Sequence, residues 1–148
     1  QMVKQGSCEE RWWPYIESKF SVKPTPCHYR EALNHRVVRS YKVDNTDGKS
    51  IRLALTNGHP VVFGSLVYYA IQNLSRYNDV LPMPRKGERY TGAHCMVIIG
   101  HDDARQLYLV QNSWGRQWGN DGRAWFPYAY IHRGDITEDC WVIEEVEA

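Results

Sequence analysis

Residues 93–112 read AHCMVIIGHDDARQLYLVQN, and this stretch decides how the chain folds. Ala93–Ile99 is an unbroken apolar run rich in β-formers. His101–Arg105 (HDDAR) is polar and suited to a turn. Gln106–Asn112 alternates, with Leu107, Leu109 and Gln111 on one face and Tyr108 and Val110 on the other. Two such runs around a short turn predict an antiparallel hairpin. Facing residues in a hairpin have numbers with a constant sum, and a turn centred on Asp103 sets that sum at 206. His94 is then expected to face Asn112, with Cβ atoms about 5 Å apart. A slip of one residue would remove that pairing.

The expected pair has a chemical use. An imidazole serves as base and then as acid near neutral pH, provided its ring is oriented and its tautomer fixed. An asparagine oxygen can accept the proton on the ring nitrogen that points away from the substrate. The other nitrogen is then left to hold a nucleophile's proton.

Outward from the hairpin, Lys49–Thr56 predicts a short helix. Asp47 or Ser50 would start it, Ile51, Leu53, Ala54 and Leu55 are its apolar positions, and Gly58 stops it. Pro60–Gly64 reads as a buried strand and Ser65–Leu74 as its continuation or a short helix. Arg76–Thr91 is a long polar loop with Pro82, Pro84 and Gly87, a place for specificity residues. Arg123–Phe126 and Cys140–Val146 predict further strands, with a helical turn at Pro127–Ile131. Residues 1–30 read as an irregular lead-in, broken by Gly6, Pro14, Pro24 and Pro26, and residues 31–148 as the β-rich part of a single domain. The expected class is α+β, mostly antiparallel.

Residues 112–122, NSWGRQWGNDG, resemble the N-S-W-G-x-x-W-G-x-x-G run of papain-like cysteine peptidases. Gly92–Gly100 is similar to that family's Gly-x-His strand. Cys8–Tyr15 (CEERWWPY) and residues 81–84 (LPMP) look like segments of its bacterial and viral-type members. The resemblance implies a papain-like fold, chiefly its antiparallel, barrel-like half. It implies His94 as the catalytic imidazole, Asn112 as its orienter and Trp114 as the indole covering their bond. Trp118, Gly115, Gly119 and Gly122 are expected to be turn and packing residues.

The nucleophile is the departure. In this family the cysteine precedes the His and Asn by roughly 130–150 residues. Counting back that far from His94 passes residue 1, so the resemblance places the nucleophile, its oxyanion glutamine and most of the helical half outside this chain. Gln5-Gly6-Ser7-Cys8 mimics the family's Q-G-S-C run. There, however, the nucleophile comes three residues later, where this chain has Arg11. Cys8 is thus a poor nucleophile candidate, and Cys8 and Cys27 are expected to be structural. Cys95 should point to the opposite face from His94, and Cys140 reads as core.

Composition narrows the rest. The chain has 148 residues, 43% hydrophobic and 24% charged, with net charge +1, so it is expected to fold around a core. No basic stripe or membrane-length apolar run appears, so neither nucleic acid nor membrane is an expected partner. The four cysteines match no zinc pattern and permit three complete pairings; no metal or cofactor is expected, and the compartment is left open. The remaining histidines, His28, His35, His59 and His132, are expected to be solvated, and Glu144, Glu145 and Glu147 to form a charged tail. The first residue is Gln1, which suggests processing upstream or a longer product.

Two functions follow. One is a cysteine peptidase portion acting on peptides or proteins, completed by a separate N-terminal fragment. The other is a non-catalytic papain-like domain for binding or assembly, its His–Asn face covered by a partner chain. A transglutaminase-like site would favour a carboxylate partner for the histidine, which Asn112 is not.

Overall fold

A computed structural model describes residues 2–147. Among them, residues 2–40 with 143–147 form one compact unit and Tyr41–Val142 a second.

The larger unit is built on strands β2 (Val61–Val67), β3 (Gly92–Asp102), β4 (Leu107–Gln111) and β5 (Arg123–Pro127), with the first part of β6 (Thr137–Val146) beside β2. These pairings are antiparallel. Alternate residues of β2 are buried, and Val61 and Phe63 meet Ile98, Tyr108, Val110, Phe126 and Val142 in one core. Each such side chain contributes about 1.5–3 kcal/mol on burial. Helix α3 spans Lys49–Thr56, as its stop signals predict. The Lys49 N–H donates to Asp47 Oδ1 at 2.9 Å. The helix buries Ile51 and Ala54, but Leu53 is 63% exposed, because it lies off the Ile51–Ala54 stripe. Beyond Val67 the strand gives way to a 3-10 segment, Tyr69–Tyr77, and the short helix α4 covers Tyr128–Ile131.

The β3–β4 register differs from the expected one. Its turn falls on residues 103–106, closed by the Arg105 N–H on Asp102 Oδ1 at 3.0 Å, with Gln106 left-handed at φ 56°. Asp102 therefore pairs with Leu107, and a bulge between Ile98 and Gly100 shifts the ladder again, so that Val97 pairs with Gln111. His94 and Asn112 are not directly opposed. Continuing the ladder one step sets Asn112 against Met96, diagonally displaced from His94.

In the smaller unit, α1 (Met2–Gln5) and α2 (Pro26–Ala32) lie within or at the edge of the segment that reads as irregular. Pro26 is no breaker here. It occupies the first helical turn, where its missing N–H costs nothing. Strand β1 (Val37–Lys42) had no clear signal in its own sequence, and its start runs beside the end of β6. That pairing turns the expected acidic tail into ion-pair partners. Arg36 forks onto Glu147 at 2.7 and 2.9 Å, and Arg39 meets Glu145 at 2.9 Å and Glu144 at 3.3 Å.

Candidate active site

The site lies in the larger unit, at the Gly92 end of β3. His94 is half-buried and pairs across β2 with Ser65. It shares its face with the buried Met96 and Ile98, while Cys95 points the other way and is exposed, as strand alternation requires. Asn112 follows the last residue of β4 and is 6% exposed. Its N–H donates to the Gly122 carbonyl at 3.0 Å, which closes the loop 112–122 on itself.

His94 Nε2 lies 2.8 Å from Asn112 Oδ1. The same oxygen accepts the Ser113 N–H at 2.7 Å. A backbone N–H can only donate, so the atom facing it is the amide oxygen and not the nitrogen. The oxygen then faces Nε2 as well, which must carry a hydrogen. In the neutral ring, Nδ1 therefore holds the free lone pair. The remaining amide group, Asn112 Nδ2, is buried without a hydrogen-bond partner. Flipping the amide would not help, since it would set two donors against each other at Ser113.

Trp114 stacks on His94, with ring centroids 4.9 Å apart and planes 25° from parallel. Trp118 meets Trp114 edge-on at 5.9 Å, and its Nε1–H donates to the Ile71 carbonyl at 2.8 Å. The loop that presents Asn112 is thus anchored to the 3-10 segment. Sequence reasoning found His94, Asn112, Trp114 and Trp118 but not Ser65, nor the Ser113 N–H that fixes the amide. The Ser65 contact comes from pairing of strands about thirty residues apart, which no local signal encodes.

A cleft of about 410 Å³ opens beside His94, between 64–66, 93–95 and 134–138, and its lining includes Asp135 and Glu138. The polar loop before β3 lines a second cleft of about 530 Å³ with Tyr68, Tyr69, Tyr77, Arg85 and Lys86.

All four cysteines are free thiols. Cys140 is buried, and burial pushes its thiol up to about 11. Partial burial, followed by the carboxylates of Glu31 and Glu9, also raises the thiol of Cys8. A reactive cysteine needs the opposite environment. His132, expected to be solvated, is half-buried, with Nε2 3.0 Å from the Tyr108 hydroxyl. Burial and then Arg52 hold its imidazole below the ordinary value.

The model of the papain family of cysteine proteases matches residues 1–147. The chain belongs to that family. It is 32% identical to an uncharacterized peptidase C1-like protein of Acanthamoeba polyphaga mimivirus, over 97% of this chain and 49% of that protein. It is 28% identical to a cathepsin B-like protein of Giardia intestinalis, over 98% of this chain and 47% of the other. Among solved structures, xylellain, a cysteine protease from Xylella fastidiosa, superposes with a TM-score of 0.84 at 30% identity, over 96% of this chain and 57% of that one. A viral relative and a bacterial structure are among the proteins it is similar to, as a resemblance to bacterial and viral-type members implies. The chain spans about half the length of the curated relatives it matches.

Proposed function

We propose that this chain carries the imidazole and amide of a papain-type Cys-His-Asn site that hydrolyses peptide bonds in peptide or protein substrates. His94 is the proton carrier, Asn112 its orienter and Trp114 its cover. The observation that supports this most is the double acceptance at Asn112 Oδ1, which commits Nε2–H to the amide and leaves Nδ1 for chemistry. By the family's spacing the attacking thiolate comes from a cysteine outside residues 1–148. Three of the thiols in this chain are moreover ill-suited: Cys140 is buried, Cys95 faces away from the imidazole side, and partial burial and then the carboxylates of Glu31 and Glu9 oppose thiolate formation at Cys8.

Nδ1 takes the thiol proton, and the thiolate adds to the substrate carbonyl. As the tetrahedral intermediate collapses, Nδ1–H protonates the leaving amine and a thioester remains. Nδ1 then takes a proton from water, whose oxygen adds to the thioester carbonyl; the C–S bond breaks, the sulfur takes the Nδ1 proton back as the thiol, and the acid is released. Through every step Nε2–H stays on Asn112, so the ring does not rotate as its charge changes.

The test is to express the whole reading frame, treat it with a thiol-directed epoxide, and follow a fluorogenic peptide. The expected result is labelling of a cysteine outside residues 1–148, with both labelling and hydrolysis lost in His94→Ala. A label on Cys8 would make Cys8 the nucleophile and overturn that part. A second reading is a non-catalytic domain whose His–Asn face is covered by a partner chain or fragment. Absence of any label or turnover, together with a stable complex in native mass analysis, would establish that reading instead.

A further inference from the structure

We propose that Glu9, Glu31 and His35 form a site for a first-row divalent cation, zinc foremost. One ligand atom from each lies within 4.8 Å of the other two. His35 Nε2 stands 3.4 Å from Glu9 Oε1 and 3.9 Å from Glu31 Oε1. Around a tetrahedral zinc with bonds of about 2.0–2.2 Å, ligand atoms lie about 3.4 Å apart, so the His35–Glu9 pair already has that spacing and the others, within 4.8 Å, would close on the ion. One imidazole with two carboxylates is a donor set that zinc accepts, and the carboxylates balance the charge of the ion.

The arrangement is built rather than incidental. Glu31 and His35 are four residues apart, where α2 passes into a 3-10 turn, and so present their donors to one side. Glu9 arrives from a separate segment that is pinned to the same place. The Ser7 N–H donates to the His35 carbonyl at 3.2 Å, and Gly6 packs so closely that a Cβ there would stand 1.7 Å from the Ala32 oxygen. In both carboxylates Oε1 is the oxygen turned to His35, while the other oxygen has an outer donor. Arg11 holds Glu9 Oε2, and Asn34 Nδ2 lies 3.5 Å from Glu31 Oε2. Outer donors that aim ligand oxygens inward are what a metal site requires of its surroundings. All three ligands are half-buried. The cysteine spacing that argued against zinc does not bear on this site, because its donors meet through folding.

The experiment titrates the chain with zinc chloride at pH 7.5, reading heat and thermal midpoint, and repeats the titration with cobalt for its visible spectrum. One saturable equivalent and a raised midpoint are expected. His35→Gln and Glu31→Gln should each weaken binding by at least about tenfold. A Cys8→Ser, Cys27→Ser double variant should bind as the parent does. The proposal is overturned if no saturable equivalent binds. It is equally overturned if binding is unchanged in both ligand variants, or is lost only when the thiols are removed. Glu31→Gln keeps the test decisive should His35→Gln fail to fold.

Discussion

Gly115 and Gly119 both lie in the loop that carries Asn112, and both have positive φ, 83° and 55°. A Cβ on Gly115 would meet nothing within 4 Å. A Cβ on Gly119 would stand 2.3 Å from the carbonyl oxygen of Arg123 and 3.2 Å from its carbon. That carbonyl cannot simply move aside, because it accepts the Asn120 N–H at 2.8 Å at the head of β5. Alanine in a left-handed conformation costs about 1–2 kcal/mol. Loss of the unfolded chain's glycine freedom returns about 0.4–1 kcal/mol. Gly115→Ala should therefore lower stability by no more than about 1–1.5 kcal/mol. Gly119→Ala adds overpacking of about 1–3 kcal/mol against a fixed backbone atom, for a total of roughly 2–4 kcal/mol. The assay is urea unfolding followed by tryptophan fluorescence, comparing midpoints at unchanged slope. If the two variants fall within about 0.5 kcal/mol of each other, or Gly115→Ala is the worse, the steric argument is refuted.

Trp118→Phe removes the donor to the Ile71 carbonyl and should cost about 1–3 kcal/mol, the penalty of a buried acceptor left unpaired; an unfolding midpoint equal to the parent's would show that the bond anchors nothing. His132 is held below its ordinary value, so the unfolded chain binds more protons than the folded one over the window between the depressed folded value and about 6.5. Stability should accordingly be full above about pH 6.5 and fall as pH drops through that window. The slope is at most about 1.4 kcal/mol per pH unit, and less because the ring is partly solvated. In His132→Gln that slope should flatten, and stability profiles that stay parallel between pH 7.5 and 5 would contradict it.

Much of the larger unit is legible along the chain. Helix α3 has the expected bounds because Asp47 and Gly58 punctuate it and Ile51 and Ala54 repeat at helical spacing. The β3–β4 hairpin is legible from its two apolar runs. The contact between His94 and Asn112 is present as well, although the register used to expect it is not. A turn one residue and a half further on and a bulge near Ile99 moved Asn112 off the facing position, and a diagonal reach restored the bond. Strand β1 was invisible because VVRSYK carries two charges in six residues and pairs with residues a hundred positions away. Glu144, Glu145 and Glu147 read as a charged tail for the same reason, since their partners Arg36 and Arg39 are remote in the chain.

By itself, the sequence determined which residue types stand at which spacing: the histidine before a strand's apolar run, and the Asn-Ser-Trp-Gly loop after the next. Periodicity, turn residues and short motifs act between near neighbours, so they can be read in order. Tertiary structure decided which imidazole nitrogen faces Asn112, that Ser113 fixes the amide, that Ser65 lies opposite His94, and that Glu9 meets Glu31 and His35. Those contacts depend on strand register, a bulge and a pinned loop. Each of these is settled by packing between segments far apart in the chain, where a shift of one residue exchanges every partner.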